Sequence, residues 1–459
     1  MDENAFPFGY GEETDYCVRA VYAGFDNIID TTTYIFHAKS QSFVTEKRVE
    51  LMQNGMLQLH EKYKARIIDH NVASLKKNPI LEKFRVCFSN FYEVKNSQKP
   101  WLFIIPTLSK SGIPAGTGYV RTLLPWTNDY IKELYNVSAS LELPRKLPLL
   151  VKENFVKNSI CIIQRDCVGV EKDVLEAWVK TWKSYGGKVI YEIDDDFIDY
   201  KSLSIKANIS LKDAYLRMIK TKFFISLSDI VVASTAYLGK KISSFSDKPV
   251  FIVKNVLDSS LWNFSNVLDP TVEEDETEEK VIKIGYVGTP SHLDDMNLIE
   301  EAVKKIQLEF ENQVCFEVIG ICKQEDAPWG KVIPTKFSSY PNFVKWIQSE
   351  INWDIALIPL EDREFNYSKS NLKFLECAAL NTAIVVSNVS TYGDIAKDNI
   401  NCLSVNNTCD DWYFAIKKLI EDQELRKNIS KAAHFEVQEK FLINNNLDMF
   451  KQVVEYLSK

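Results

Sequence analysis

The chain has 459 residues, 46% of them hydrophobic and 26% charged, with 55 Lys and Arg against 63 Asp and Glu for a net charge of -8. This balance excludes a disordered or fibrous chain, and the length suits two or three separately cored domains. No basic run is long enough to follow a phosphate backbone, so nucleic acid is not an expected partner.

The chain opens on an acidic stretch, Met1 to Asp15, without the basic and apolar regions of a signal peptide. It holds no run of about 18 apolar residues either. Together these predict a cytoplasmic protein. The 9 cysteines are scattered without zinc spacing and read as reduced packing residues.

Residues 1 to about 84 read as helical and aromatic-rich, starting at Gly9-Tyr10-Gly11-Glu12-Glu13-Thr14-Asp15. From Trp101 short β-branched runs alternate with helical patterns, the signature of a parallel sheet covered on both faces. Strands are predicted at 101–108, 159–164, 188–193 and 229–234, with Val174, Ala177, Trp178, Thr181 and Trp182 as one helix face. The run Glu273 to Glu279 is too charged to be buried and marks a linker over 266–280. A second series follows, with strands at 281–288, 315–320, 354–360 and 382–387, then helices from about Asp411 to Leu457. The expected fold class is α/β, with two doubly wound, Rossmann-like domains (99–265 and 281–459) behind a mainly helical segment (1–98).

Doubly wound sheets bind ligands beyond the carboxyl ends of their strands. After strand 354–360, Ser370 or Asn371 can cap a helix whose stripe is Leu372, Leu375 and Ala379. Such a start suits a diphosphate, with charge added by Lys369 and Lys373, and Glu376 one turn on can accept from a ribose diol. Spacing alone equally allows a surface pair between Lys373 and Glu376. In the first domain the loop Ser109 to Gly118 precedes Arg121; its Gly116 and Gly118 permit close approach to a ligand or simply make it flexible. The run Glu192-Ile193-Asp194-Asp195-Asp196 ends a strand. Its carboxylates could serve an acceptor hydroxyl or proton transfer, cap a helix, or hold a divalent cation. Arg165 could reach the same cleft, and His292 is either a donor contact or a solvated loop histidine.

In order, DIVVASTAYLGKKI, VFIVKNVLD, KIGYVGT, FEVIG, DIALIPL, KSNLKFLECAALNTAIVVSNVSTYGDI and DDWYFAIKKLIEDQELRKNISKAA resemble successive blocks of the family 4 glycosyltransferases of the GT-B fold. The resemblance covers about 99–459. It implies two domains facing a cleft, a nucleotide-sugar held mainly by the second, and a last helix that crosses back to the first. Carried over by residue, it implies that Glu376 holds the ribose, Lys373 lies near the phosphates, and Gly288-Thr289 forms the loop after the second domain's first strand. Helix starts and basic side chains stabilise the leaving diphosphate in that family, so neither a cofactor nor a metal is expected. Two positions depart from the pattern: Ser368 stands where the family often has a glutamate, and Asn381 where it usually has glycine.

The segment GYGEETDYCVRAVYAGFDNIIDTTTYIFHAKSQSF resembles the tail of a family 2 glycosyltransferase of the GT-A fold, with Glu13, Asp15 and His37 at that family's functional positions. The sheet that precedes them in the family is missing here, so the segment reads as a remnant without its own catalysis.

The resemblance implies transfer of a sugar from a nucleotide-diphosphate donor to a glycan hydroxyl in bacterial surface polysaccharide synthesis, with a retaining outcome. Asp194 or Asp195 would address the acceptor. A lipid-linked acceptor and peripheral association with the inner face of the membrane are further expectations. The alternatives are a nucleotide-sugar epimerase of the same fold and a polysaccharide-assembly subunit without turnover.

Overall fold

The computed structural model describes residues 2–7, 10–25, 45–64, 68–69, 99–109, 112–139, 155–165, 172–264, 281–321, 330–335, 337 and 339–458. The chain divides into two compact units, Met1–Ser97 and Gln98–Lys459. The linker expected at 266–280 lies outside the described residues, as does His37.

The first unit contains the helices Glu12–Tyr22 and Thr45–Tyr63. Phe6, Leu59, Tyr63 and Ile68 form its apolar cluster. Asp15 is fully buried and receives the Tyr63 hydroxyl at 2.5 Å, Lys62 at 2.7 Å and Arg19 at 2.9 Å. Burial works to raise its pKa, but these three partners bring it down to about 2. Asp15 thus ties the two helices together, while Glu13 is exposed.

The second unit holds two six-stranded sheets. The first comprises β1 (Trp101–Ile105), β2 (Asn136–Ala139), β3 (Ile160–Gln164), β4 (Lys188–Ile193), β5 (Ile230–Ala233) and β6 (Val250–Ile252), in the order β2-β1-β3-β4-β5-β6. The second comprises β7 (Ile282–Val287), β8 (Val314–Ile319), β9 (Lys331–Ile333), β10 (Ile355–Ile358), β11 (Ala383–Ser387) and β12 (Leu403–Val405), in the order β12-β11-β10-β7-β8-β9. All of these strand pairs are parallel. The register lines up Ile104, Ile162, Ile190 and Ile230 across four strands, each fully buried. Strands covered on both faces need this continuous β-branched composition.

The helix Lys172–Ser184 buries Leu175, Trp178, Val179 and Trp182, while Val174, Ala177 and Thr181 are exposed. The predicted stripe was placed on the wrong side of the tryptophan pair. Trp178 and Trp182 fit either face at helical spacing, and the sheet beneath selects the flank that carries Leu175 and Val179.

Leu257 and Leu442 pair where the chain passes between the halves, with Leu257 N–H to Phe441 O at 2.8 Å and Ile443 N–H to Leu257 O at 2.9 Å. Trp262 and Phe264 already pack in the second sheet's core, although the sequence range for the first domain ran past them. The last helix, Leu447–Leu457, returns to the first sheet and buries Phe450, Val453, Val454 and Leu457 there.

Phe450 meets Trp126 edge-on at 5.3 Å and is fully buried. Phe450→Ala should destabilise the protein by about 3–5 kcal/mol in urea unfolding. Phe414→Ala, at a position 63% exposed, should change stability by no more than about 0.5 kcal/mol. Equal effects would contradict the return of this helix to the first core.

Candidate functional site

Charged side chains collect where the strands of both sheets end. After β4, Asp194 and Asp195 are partly exposed, whereas Asp196 and, within the strand, Glu192 are buried. Arg165, one residue past β3, binds both part-exposed carboxylates, Asp194 through Nε and Asp195 through Nη2. It does so with φ at 49°, a left-handed backbone that costs a non-glycine residue about 1–2 kcal/mol. Thr117 donates to Asp194 at 2.5 Å, and Lys369 from the second half stands 3.7 Å from Asp195. Burial raises the pKa of Asp195, but Lys369 and Arg165 outweigh it and hold the carboxyl down to about 2. Asp196 is engaged elsewhere, accepting from the Ile198 and Asp199 amides at 3.1 Å and from Lys241 at 2.6 Å.

In the second half, β7 runs into Gly288, where an added Cβ would lie 3.4 Å from Lys373 Nζ. Lys373 sits in the first turn of the helix Leu372–Ala379, with Nζ 3.2 Å from the Tyr286 hydroxyl and 4.9 Å from its ring centre. Among the described residues no carboxylate lies within ion-pair distance of it. Burial pulls its pKa down to about 8, against the pull of Asp295. The helix starts at Asn371 with no side-chain cap, and Ser370 Oγ accepts instead from Asn255 at 2.6 Å. The expected capping by Ser370 or Asn371 is therefore not made, which leaves the leading amides without a side-chain acceptor. One turn on, burial raises the Glu376 pKa to about 7, and Tyr340 donates to its Oε1 at 2.6 Å.

His292 Nδ1 lies 2.7 Å from Asp295 Oδ2 and donates to it, because an ionised carboxylate only accepts. Asp295 also takes Lys206 at 2.9 Å and the Glu361 amide at 3.0 Å. Burial first, then Lys373, pushes the His292 pKa down to about 3. Despite its burial, Asp295 is held well below the ordinary carboxylate range by His292, Glu361 and Lys206. His292 is thus not a solvated loop histidine: its ring is 13% exposed and tied to Asp295.

Arg121 and Gly118 take roles other than the expected ones. Arg121 does not reach a ligand from a loop: only 2% exposed, it bonds Glu192 through Nε, and Val253 O and Asn255 Oδ1 through Nη1, each at 2.7 Å. Gly118 makes room for the chain's own backbone, since a Cβ there would fall 2.8 Å from Thr107 O. Gly116 faces the second half, where an added Cβ would lie 3.9 Å from the Tyr340 ring. Thr289 is exposed and bonds Ser291 at 3.0 Å.

No known protein family matches the sequence, and no curated protein does. Solved structures do match. Sucrose-phosphate synthase from Thermosynechococcus elongatus superposes with a TM-score of 0.54 at 12% identity, covering 78% of this chain and 99% of that one. A glycosyltransferase from Rickettsia africae gives 0.51 at 13% identity, covering 79% and 99%. TarM gives 0.46 at 13% identity over 68% of this chain, which spans only 58% of TarM's length.

The fold is GT-B.

Arg165, Thr117, Asp194 and Asp195 thus form one hydrogen-bonded group at the strand ends of the first half, which Lys369 approaches from the second. Sequence reasoning missed Lys206, Asp295, Asn255 and Tyr340. Asp295 stands three residues after His292, a spacing that allows contact on one helical turn; Lys206, 89 residues away, carried no local signal.

The depressed His292 value has a definite sign. Above about pH 6.5 the ring is neutral folded or unfolded and contributes nothing. As pH falls from 6.5 toward 3 only the unfolded chain gains the proton, so stability is progressively lost. His292→Asn should flatten this acid loss in pH-dependent urea unfolding. By NMR the wild-type ring should show no protonation step between pH 7 and 5; a step near 6.5 would contradict the buried network.

Proposed function

We propose that this protein transfers a glycosyl group from a nucleotide-diphosphate sugar to a hydroxyl of a glycan or lipid-linked glycan acceptor. The observation that carries the reading is Lys373, a desolvated ammonium without a carboxylate partner among the described residues, beside the uncapped start of a helix. A cation taken out of water without a partner is costly, and free amides plus the helix dipole favour a phosphate group. A diphosphate set there would satisfy both, with Glu376 placed for the ribose and Lys369 close enough to turn from Asp195 to the phosphates.

That exchange has a chemical consequence. Asp194 is engaged through both oxygens, by Thr117 and by Arg165. Asp195 shares Lys369, so drawing this lysine to the diphosphate removes one of the charges that depress its pKa. Asp195 is therefore the carboxylate we assign to the acceptor hydroxyl, and the departing diphosphate is stabilised by Lys373, Lys369 and the helix start. We further propose a retaining outcome and no requirement for a metal, so that activity survives excess EDTA. No helix of the described residues is long and apolar enough to cross a membrane; a peripheral position at the inner face, in surface polysaccharide synthesis, belongs to the same proposal.

A panel of UDP-, GDP- and ADP-sugars tests it by thermal shift, since a ligand bound only by the folded state raises the melting temperature. One nucleotide series should stabilise the protein, and Lys373→Met should weaken its binding about 10- to 100-fold, the size of a lost charged hydrogen bond. Asp195→Asn should cut transfer far more than donor affinity. Epimerised sugar nucleotide released without an acceptor, or binding without any turnover, would replace transfer by one of its two alternatives.

A further inference from the structure

Tyr340 opens the helix Tyr340–Glu350 in the second domain, yet it packs with the other half. Its ring lies 6.5 Å from that of Tyr119 at an interplanar angle of 26°. Tyr119 is 3% exposed, and its hydroxyl is buried without a partner among the described residues, so it is present at this spot as a ring. The Tyr340 hydroxyl donates to Glu376 Oε1 at 2.6 Å. Glu376 is only partly buried, and among the described residues no side chain takes its Oε2.

A glutamate has three rotatable side-chain bonds, and ordering one on binding costs conformational entropy. Where a partner fixes one carboxylate oxygen beforehand, a ligand at the other oxygen does not meet that cost. We propose that Tyr340 is a positioning residue for the donor site: by engaging Oε1 it orients Glu376 so that Oε2 accepts from the ribose diol of the nucleotide. Tyr119 holds the phenol in place from the opposite domain, so the orientation depends on the halves being together. The assignment rests on the nucleotide-binding reading given above.

Calorimetry on the full chain tests it with UDP, GDP and ADP and their 2′,3′-dideoxy counterparts. Wild type should prefer the ribonucleotide, and the ratio of the two affinities measures the diol contact alone. Tyr340→Phe should lower that ratio about three- to tenfold while leaving dideoxynucleotide affinity unchanged, an outcome that loss of folding does not produce. Glu376→Gln should lower it as well, and the double variant should lose no more than the larger single loss, because both changes remove one unit. Should Tyr340→Phe fold poorly, Tyr119→Leu keeps the hydroxyl, removes its support and should move the ratio the same way. An unchanged ratio in Tyr340→Phe, or equal weakening toward both nucleotides, overturns the role of Tyr340 and leaves nucleotide binding standing. A wild-type ratio of one removes Glu376 from the ribose and the proposal with it. Binding of none of the nucleotides by wild type overturns the glycosyl-transfer reading itself.

Discussion

The two parallel sheets end against one another, and the charges gathered between them have little water to screen them. Every ionised group there needs a partner, and in several cases the partner lies in the other half. Lys206 on the helix Tyr200–Ala207 pairs with Asp295 of the second domain while both side chains are at most 5% exposed. Removing either member would leave a buried charge unpaired, so the pair fixes how the halves meet far more than it adds net stability. Lys241 with Glu364 at 3.1 Å and Lys254 with Asp394 at 3.0 Å repeat the cross-half pattern nearer the surface, where screening makes each weaker.

A hydrogen-bonded path runs beside these pairs. Glu192 binds Arg121, Arg121 binds Asn255, and Asn255 donates to Ser370 at the start of the helix assigned to the diphosphate. Arg121 belongs to a π-helical turn, Tyr119–Leu123, a departure from α geometry that is common where a protein places a functional side chain. The same turn presents Tyr119 to Tyr340. One irregular turn of the first domain therefore reaches both the phosphate end and the ribose end of the candidate donor site, which gives the first domain a hold on a site the second domain builds.

The central strands were legible because burial on both faces demands uninterrupted β-branched residues, and all eight predicted runs became strands. The four that escaped, β2, β6, β9 and β12, are the outermost strands of their sheets. They are three or four residues long and mostly half-buried, so they carry no comparable run. Asn381 shows the opposite case: its tolerance of the left-handed region was readable, and its φ is 56°. The site was legible only where residues lie close in sequence. Lys369, Lys373 and Glu376 share one short stretch of chain, whereas the Asp194 and Asp195 partnership with Arg165 spans 29 and 30 residues, and that of Tyr340 with Glu376 spans 36. The EIDDD run left several uses open in sequence, and the fold holds Asp194 and Asp195 with Arg165 and buries Asp196 under Lys241.

Ser368 shows why one departure from the resembling pattern is built into the closed arrangement. The residue is fully buried, its carbonyl accepts from Thr235 of the first domain at 3.1 Å, and its hydroxyl has no partner among the described residues. A glutamate at this position would have to bury a carboxylate beside that cross-half hydrogen bond, at a cost of several kcal/mol unless a cation came with it. The adjacent lysine, Lys369, already faces Asp195. The position that contributes a carboxylate in the resembling family is used here to seat one half against the other.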